Sequence, residues 1–336
     1  MLTSWKDCVA KKYNEGLRPI RIARIMWDDP NWGYETCDCG SFDSWYNRVK
    51  HYIYRHLKSN ESPELEGQTN IFEQKPVIIQ NSEPNIHDAI WNGTHVIRFG
   101  LIGDTQMGSK YTQLTHLHDF YNICKNAGIR DIYHTGDITD GLKMRQGHEY
   151  ELYLNSVDDM VNDVVNNYPK IDGITTHFIT GNHDASLYKQ VGYDIGKAIA
   201  ERRSDMDYLG RDCSVVNITP NCTLEMRHPW DGTAYALSYK PQKMIEAMES
   251  DSKPNILAIG HYHKAEYLFY RNVHCIQTGC FQSQTPYTRG KGIAVNMGGW
   301  IVTVVVNDDG TIAGISPMFV PYYKACTDDY KNFRKD

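Results

Sequence analysis

From Thr94 onward, short apolar runs alternate with stretches of helical period. VIRFGLI (96–102) reads as a buried strand, and the amphipathic run YTQLTHLHDFYNICKNAG (111–128) as a helix closed by Gly128. RDIYHT (130–135) and THFIT (176–180) are two more strands, with HEYELYLNSVDDMVNDVVNNY (148–168) as one long helix between them. YDIGKAIAERRS (193–204) is a further helix, followed by short strands around SVVNI and CTLEMRH. PQKMIEAMES (241–250) leads as a helix into the strand NILAI (255–259). Thereafter NVHCIQTG, GWIVTVVVND and TIAGISPMF are β-like, with DDG (308–310) as a hairpin turn. Alternation of this kind predicts an α/β fold.

Upstream, residues 1–58 have a different rhythm. WKDCVAKKYNEG, RPIRIARIMW and SFDSWYNRVKHYIYRHLK form three helical segments, the last opened by Ser41 as N-cap. GLRPIRIARIM as a middle helix resembles part of a helix-turn-helix module, although a long insert stands where that motif has a tight turn. A helical docking domain competes with that reading. Residues 59–93 are polar and weakly periodic, the composition of a linker. The expected organisation is a small helical domain at 1–58, a linker at 59–93 and a large domain at 94–336.

Composition narrows the class. At 336 residues with 41% hydrophobic and 23% charged positions, the chain has the make-up of a soluble globular protein. No apolar run approaches the ~20 residues of a membrane helix, and the N-terminal stretch lacks an apolar leader. Nine cysteines without framework spacing suggest a reducing compartment, so a cytoplasmic location is expected. Cys37 and Cys39 form C-x-C, not the usual zinc spacing. Net charge is −6, unlike a protein that holds nucleic acid through a broad basic surface. Residues 1–58 carry ten Lys+Arg against seven Asp+Glu, so a mildly basic head precedes an acidic body.

Four segments carry the chemistry: GDTQ (103–106), GDITD (136–140), GNHD (181–184) and GHYH (260–263). Each sets Asp, Asn, Gln or His directly after an apolar strand. Side chains at the carboxyl ends of neighbouring strands converge on one crevice in α/β sheets. A cluster of oxygen and nitrogen donors without thiolate suits hard or borderline divalent cations.

In this order and placement, the motifs resemble the calcineurin-like metallophosphoesterase superfamily over roughly residues 94–320. The resemblance implies two packed mixed β-sheets flanked by helices, a four-layer sandwich with two divalent metal ions at the strand ends. It implies Asp104, Gln106 and His263 on one ion, Asp137 bridging both, and Asn182, His228 and His261 on the other. His183 would be the general acid, oriented by Asp140. Gln106 departs from the commoner His of the family. An amide oxygen is a harder, weaker donor than imidazole, which favours Mn²⁺ or Mg²⁺ over Zn²⁺. Gln here resembles the manganese-dependent ADP-ribose/CDP-alcohol diphosphatases.

Recognition is written less clearly. In CFQSQTPYTRGKG (280–292), Arg289 or Lys291 could grip a phosphate and Tyr287 could stack a base. GNHD, the intervening helix and the extra domain resemble the double-strand-break repair nucleases, which implies a phosphodiesterase that cleaves DNA and contacts it partly through residues 1–58. Two alternatives stand beside it: hydrolysis of small nucleotides, such as cyclic nucleotides or ADP-ribose-like diphosphates, and a DNA-binding or scaffold protein with a vestigial catalytic domain. Homodimerisation is left open.

Overall fold

The computed structural model describes residues 4–28, 42–53, 57, 84–250 and 252–333. The chain divides into two compact units near residue 78. Ser41 and the Cys37/Cys39 pair lie outside the described residues.

The first unit contains helices α1 (Trp5–Asn14), α2 (Pro19–Trp27) and α3 (Phe42–Tyr52). Ser4 caps α1 by accepting from the Asp7 amide, and Pro19 opens α2, where a missing N–H costs nothing. Val9, Ile22, Ala23, Met26, Trp45, Val49 and Ile53 form its core. Trp45 Nε1 donates to the Ala23 carbonyl at 3.1 Å, so its one polar atom is satisfied inside. The segment between α2 and α3, on which the helix-turn-helix comparison turns, lies outside the described residues.

The second unit is built on two six-stranded mixed sheets. Its strands are β1 (Asn85–Asp88), β2 (Val96–Ile102), β3 (Asp131–His134), β4 (Thr175–Thr180), β5 (Met206–Arg211), β6 (Cys213–Thr219), β7 (Cys222–Arg227), β8 (Ile256–Ile259), β9 (Ala265–Tyr270), β10 (Val273–Thr278), β11 (Gly298–Val306) and β12 (Ile312–Pro321). One sheet runs β12-β11-β2-β3-β4-β5 and the other β1-β6-β7-β8-β10-β9. Phe99, Leu101, Tyr133 and Ile179 from the first interleave with Val216, Leu224, Met226, Ile256 and Ile276 from the second. Helices α4 (Leu114–Asn126), α5 (Val157–Asn167) and α7 (Ile195–Arg202) cover the outer face of the first sheet. Helix α8 (Tyr239–Ala247) packs Ile245 on the second through Leu257 and Cys275. The four-layer α/β sandwich expected from the motifs is the fold observed.

Three local differences matter. Residues 85–88, inside the stretch read as linker, form β1 and pair in parallel with β6. The long helix expected over 148–168 is a 3-10 turn at His148–Tyr150 followed by α5. Ser156 is the reason: its hydroxyl accepts from the Asp159 amide at 3.1 Å and starts a new helix there. A short helix unseen in the pattern, α6 (Ala185–Val191), follows GNHD directly.

Candidate metal centre

Five parallel strand ends meet at one crevice. Asp104 and Gln106 leave β2, Asp137 and Asp140 leave β3, and Asn182 and His183 leave β4, three neighbours in one sheet. His228 follows β7, and His261 and His263 follow β8, neighbours in the other. Four of the seven expected ligands thus come from one sheet and three from the other.

The backbone there is unusual. Asp104, Gln106, Asp137, His261 and His263 have φ of 51°, 51°, 55°, 75° and 54°, half of the ten described non-glycine residues with positive φ. Left-handed backbone costs an L-residue about 1–2 kcal/mol, and strain of this kind concentrates at functional sites. The glycine of GNHD has a different task. A Cβ on Gly181 would lie 2.3 Å from Asp137 Oδ1 and 2.7 Å from the His228 ring, so only hydrogen fits between the two.

The side chains interlock. His228 Nε2 is 3.1 Å from Asp137 Oδ2 and 3.0 Å from Asn182 Oδ1, while its Nδ1 bonds to the Thr135 carbonyl at 2.8 Å. Asp104 is 3.2 Å from His263 Nε2 and accepts from the His261 amide at 2.9 Å. Gln106 Nε2 donates to Asp137 Oδ2 at 3.2 Å. Asp137, His228 and His261 can each present one ligand atom within 4.8 Å of one another. Gln106 Oε1 is buried without a hydrogen-bond partner, while burial opposes a charge on His263 but Cys280 and Asp104 hold it well above the ordinary histidine range. Buried acceptors left open are costly, and a cation bound among these donors would complete them. Oxygen and nitrogen ligands with two carboxylates fit a hard or borderline divalent ion.

Charge follows the same geometry. Burial opposes ionisation of Asp137, but His228 and His183 beside it hold its carboxyl far below the usual range. Burial likewise opposes a charge on His228, and Asp137 raises that imidazole to about 9. His261 moves the other way, lowered by burial and by His228. Asp184 is pushed up to about 6 by burial and by Asp137, yet four donors hold it: the amides of Ile138, Thr139 and Gly181 and the Thr139 hydroxyl. It ties the GDITD turn to the GNHD turn.

His183 stands on the rim. Its Nδ1 lies 2.9 Å from Asp140 Oδ1 and 2.8 Å from the Asp140 carbonyl, which leaves Nε2 for the cavity. Burial disfavours the imidazolium, but Asp137 and Asp140 raise His183 to about 9. Asp140 has a second neighbour that the sequence reading missed, the fully buried His148, whose Nε2 is 3.3 Å from the same oxygen. That contact is close enough for charge but not aligned as a hydrogen bond.

The cavity over the centre measures about 490 Å³. Tyr287 and Lys291 line it; Arg289 does not, and instead lies close enough to act on Tyr111. Arg145, also missed, lines it and is ion-paired with Glu151. Asp231 forms another wall and accepts His261 Nε2 on its carbonyl at 2.7 Å. A larger hollow of about 970 Å³ opens at the other mouth of the sandwich, by the strand starts at Val96, Asp131 and Thr175, away from every motif. Arg145 stands in an aperiodic stretch, 141–147, and His148 at the start of what read as a long helix, so neither was marked as a site residue. His134, two residues before Gly136, is buried and bonded to Thr105, and burial lowers it to about 4, the state of a neutral core histidine.

Two mixed sheets between helices, with this ligand order at the strand ends, are the four-layer sandwich that the motif resemblance implied. No family model matches the chain. Among curated proteins it is similar to the DNA polymerase II small subunit of Methanothermobacter thermautotrophicus, 24% identical over 198 residues. That match spans 48% of this chain and 40% of the relative, so the chain covers less than half of that protein. Among solved structures it is similar to a novel archaeal phosphodiesterase (11% identity, TM-score 0.38, 67% of this chain and all of that one). It is also similar to zinc-complexed Vps29 from Entamoeba histolytica (14% identity, TM-score 0.34, 67% and 99%). The fold class rests on the strand topology itself.

Proposed function

We propose that this chain is a two-metal phosphodiesterase that hydrolyses nucleic acid. The observation that carries the reading is the open buried acceptor Gln106 Oε1, set among Asp104, Asp137, His228 and His261, together with a protonated His183 at the cavity rim. Asp104, Gln106 and His263 would hold one ion, Asn182, His228 and His261 the other, with Asp137 between them. Two such cations, for which Mn²⁺ or Mg²⁺ is the proposed identity, neutralise phosphate charge and activate water. The chain supplies the rest. Asp140 fixes the proton on His183 Nδ1 and stabilises its charged form, so Nε2 can deliver a proton to the leaving alkoxide. Asp231 and Tyr262 fix the wall beside His261: the Tyr262 hydroxyl donates to Asp231 at 2.5 Å.

Nucleic acid is favoured as substrate by the similarity to a DNA polymerase subunit. The first unit adds a second reason, because Arg18, Arg21 and Arg24 stay exposed around α2 while Ile22, Ala23 and Met26 are buried. The small-nucleotide reading is supported by the modest volume of the cavity. No helix of the described residues is long and apolar enough to cross a membrane.

Purified protein with Mn²⁺ should turn over bis(p-nitrophenyl) phosphate, and His183→Ala should lower that rate by about 10²–10⁴-fold with metal content unchanged. Absence of turnover with any of Mn²⁺, Mg²⁺, Ni²⁺ or Zn²⁺ would overturn the reading.

A further inference from the structure

Three part-exposed aromatic rings, one lining the cavity over the metal centre and two in a neighbouring hollow beside Asp184, each have a cation over one face. Tyr287, Trp230 and Tyr188 are 42%, 39% and 44% exposed. The Arg145 guanidinium lies 4.1 Å from the centre of the Tyr287 ring, Lys189 Nζ 3.7 Å from Trp230, and the Arg211 guanidinium 3.7 Å from Tyr188.

Their positions follow from the chain. Arg145 and Tyr287 line the cavity itself. Trp230 comes two residues after His228 and one before Asp231, a wall of that cavity. Tyr188 and Lys189 lie on α6, which starts two residues after His183. Trp230 Nε1 donates to Asp212 at 2.9 Å, next in sequence to Arg211. Tyr188, Lys189, Trp230 and Arg211 together wall a second hollow, and its Asp184 and Trp230 are next in sequence to His183 and Asp231 of the first.

Resting on the phosphodiesterase reading, we infer that the site takes single-stranded nucleic acid, with one base on Tyr287 and bases beyond the metal centre on Trp230 and Tyr188. Aromatic rings stack any base and so suit a strand whose bases are splayed open. Bases in a duplex are already stacked on one another, so a duplex must be gripped mainly by its phosphates, which calls for uncompensated cations. Those are scarce here. Arg145 is paired with Glu151 and Arg211 with Asp194, and the net charge is −6. The cations hold the rings in place more than they add positive field. A single nucleotide filling the cavity would reach Tyr287 without Trp230 or Tyr188.

The test is fluorescence anisotropy of the full chain with a labelled oligodeoxythymidylate of about 15 nucleotides, within the span of typical single-strand sites. EDTA separates binding from hydrolysis, and turnover of bis(p-nitrophenyl) phosphate with Mn²⁺ reports the phosphodiesterase reading separately. The single strand should bind more tightly than a duplex of equal length. Trp230→Ala and Tyr188→Ala should each weaken it about fivefold or more. Trp230→Phe should retain most of the affinity, and Tyr323→Ala, at an exposed tyrosine outside both hollows, should leave it unchanged. Equal or tighter duplex binding, or unaltered single-strand affinity in both alanine variants, overturns the inference. Full competition by thymidine monophosphate at the oligonucleotide's own affinity also overturns it and assigns the site to small nucleotides.

Discussion

His148 and His183 share one carboxylate: Asp140 Oδ1 lies 3.3 Å from His148 Nε2 and 2.9 Å from His183 Nδ1, and the rings meet edge to face at 5.9 Å. Burial works against an ionised Asp140, but His148 and His183 hold it well below the usual carboxylate range. His148 does not line the cavity and acts through Asp140. His148→Ala should therefore lower kcat by about 10–100-fold, the range for groups that orient a reacting side chain. Metal content should stay near that of the parent, and the alkaline limb of the kcat profile should move to higher pH, because Asp140 then gives its whole charge to His183. An unchanged profile with reduced metal would assign His148 to the fold alone.

Gly181→Ala is expected to be far more damaging than its size suggests. Its methyl would enter the gap between Asp137 and the His228 ring, where nothing flexible can yield. Loss of bound metal together with about 2–4 kcal/mol of stability is the expected outcome, in the range of severe core overpacking. Metal analysis and urea denaturation would measure both.

Metal uptake should release protons. His228 carries its proton up to about pH 9 in the metal-free protein, and a ligand imidazole must lose it to coordinate. Affinity for Mn²⁺ should then rise with pH from about 6 to 9. Calorimetry in buffers of different ionisation enthalpy would report the proton count; pH-independent affinity would mean that His228 is not a ligand.

Far from the centre, His177 bridges Asp131 at 3.0 Å and Asp207 at 3.1 Å beneath the Tyr133 ring. Burial opposes its charge, but the two carboxylates raise its pKa above the ordinary value. The folded protein holds this proton more tightly than the unfolded chain. The stabilisation is therefore complete below the ordinary histidine pKa and vanishes as pH rises through the folded value. His177→Gln should cost about 1 kcal/mol at pH 6, since both aspartates are half exposed and screened, and almost nothing at about pH 9. Chemical denaturation at the two pH values would show it.

Much of the site was legible because its residues follow apolar runs with strand character. Asp104, Gln106, Asp137, Asn182, His261 and His263 all stand one to four positions past such a run, and parallel pairing brings them together. His228 was placed only by its order between GNHD and GHYH, and the antiparallel β6–β7 pair delivers it. Arg145 was invisible because 141–147 follows no period, and His148 was read only as the start of a long helix, whereas Gly147 at φ 81° turns the chain there. Arg289 and Lys291 looked equivalent in sequence. Thr285 and Thr288 form a capping box that folds 286–290 into a helix turn, α9, and Arg289 then faces away from the cavity. Local capping decided between two basic residues that composition could not separate.

The division of the ligands between two sheets also concerns the mechanics of the molecule. Ions held jointly by Asp104 and Asp137 on one side and His228 and His261 on the other would staple the two halves of the sandwich at the end where the strands leave it. The melting temperature should climb with the logarithm of free Mn²⁺, by the equivalent of about 2.7 kcal/mol at a hundredfold excess over Kd. Chelation should loosen the two sheets from each other before it unfolds either, seen as faster amide exchange in the turns after β2, β3, β7 and β8 while the strand centres remain protected.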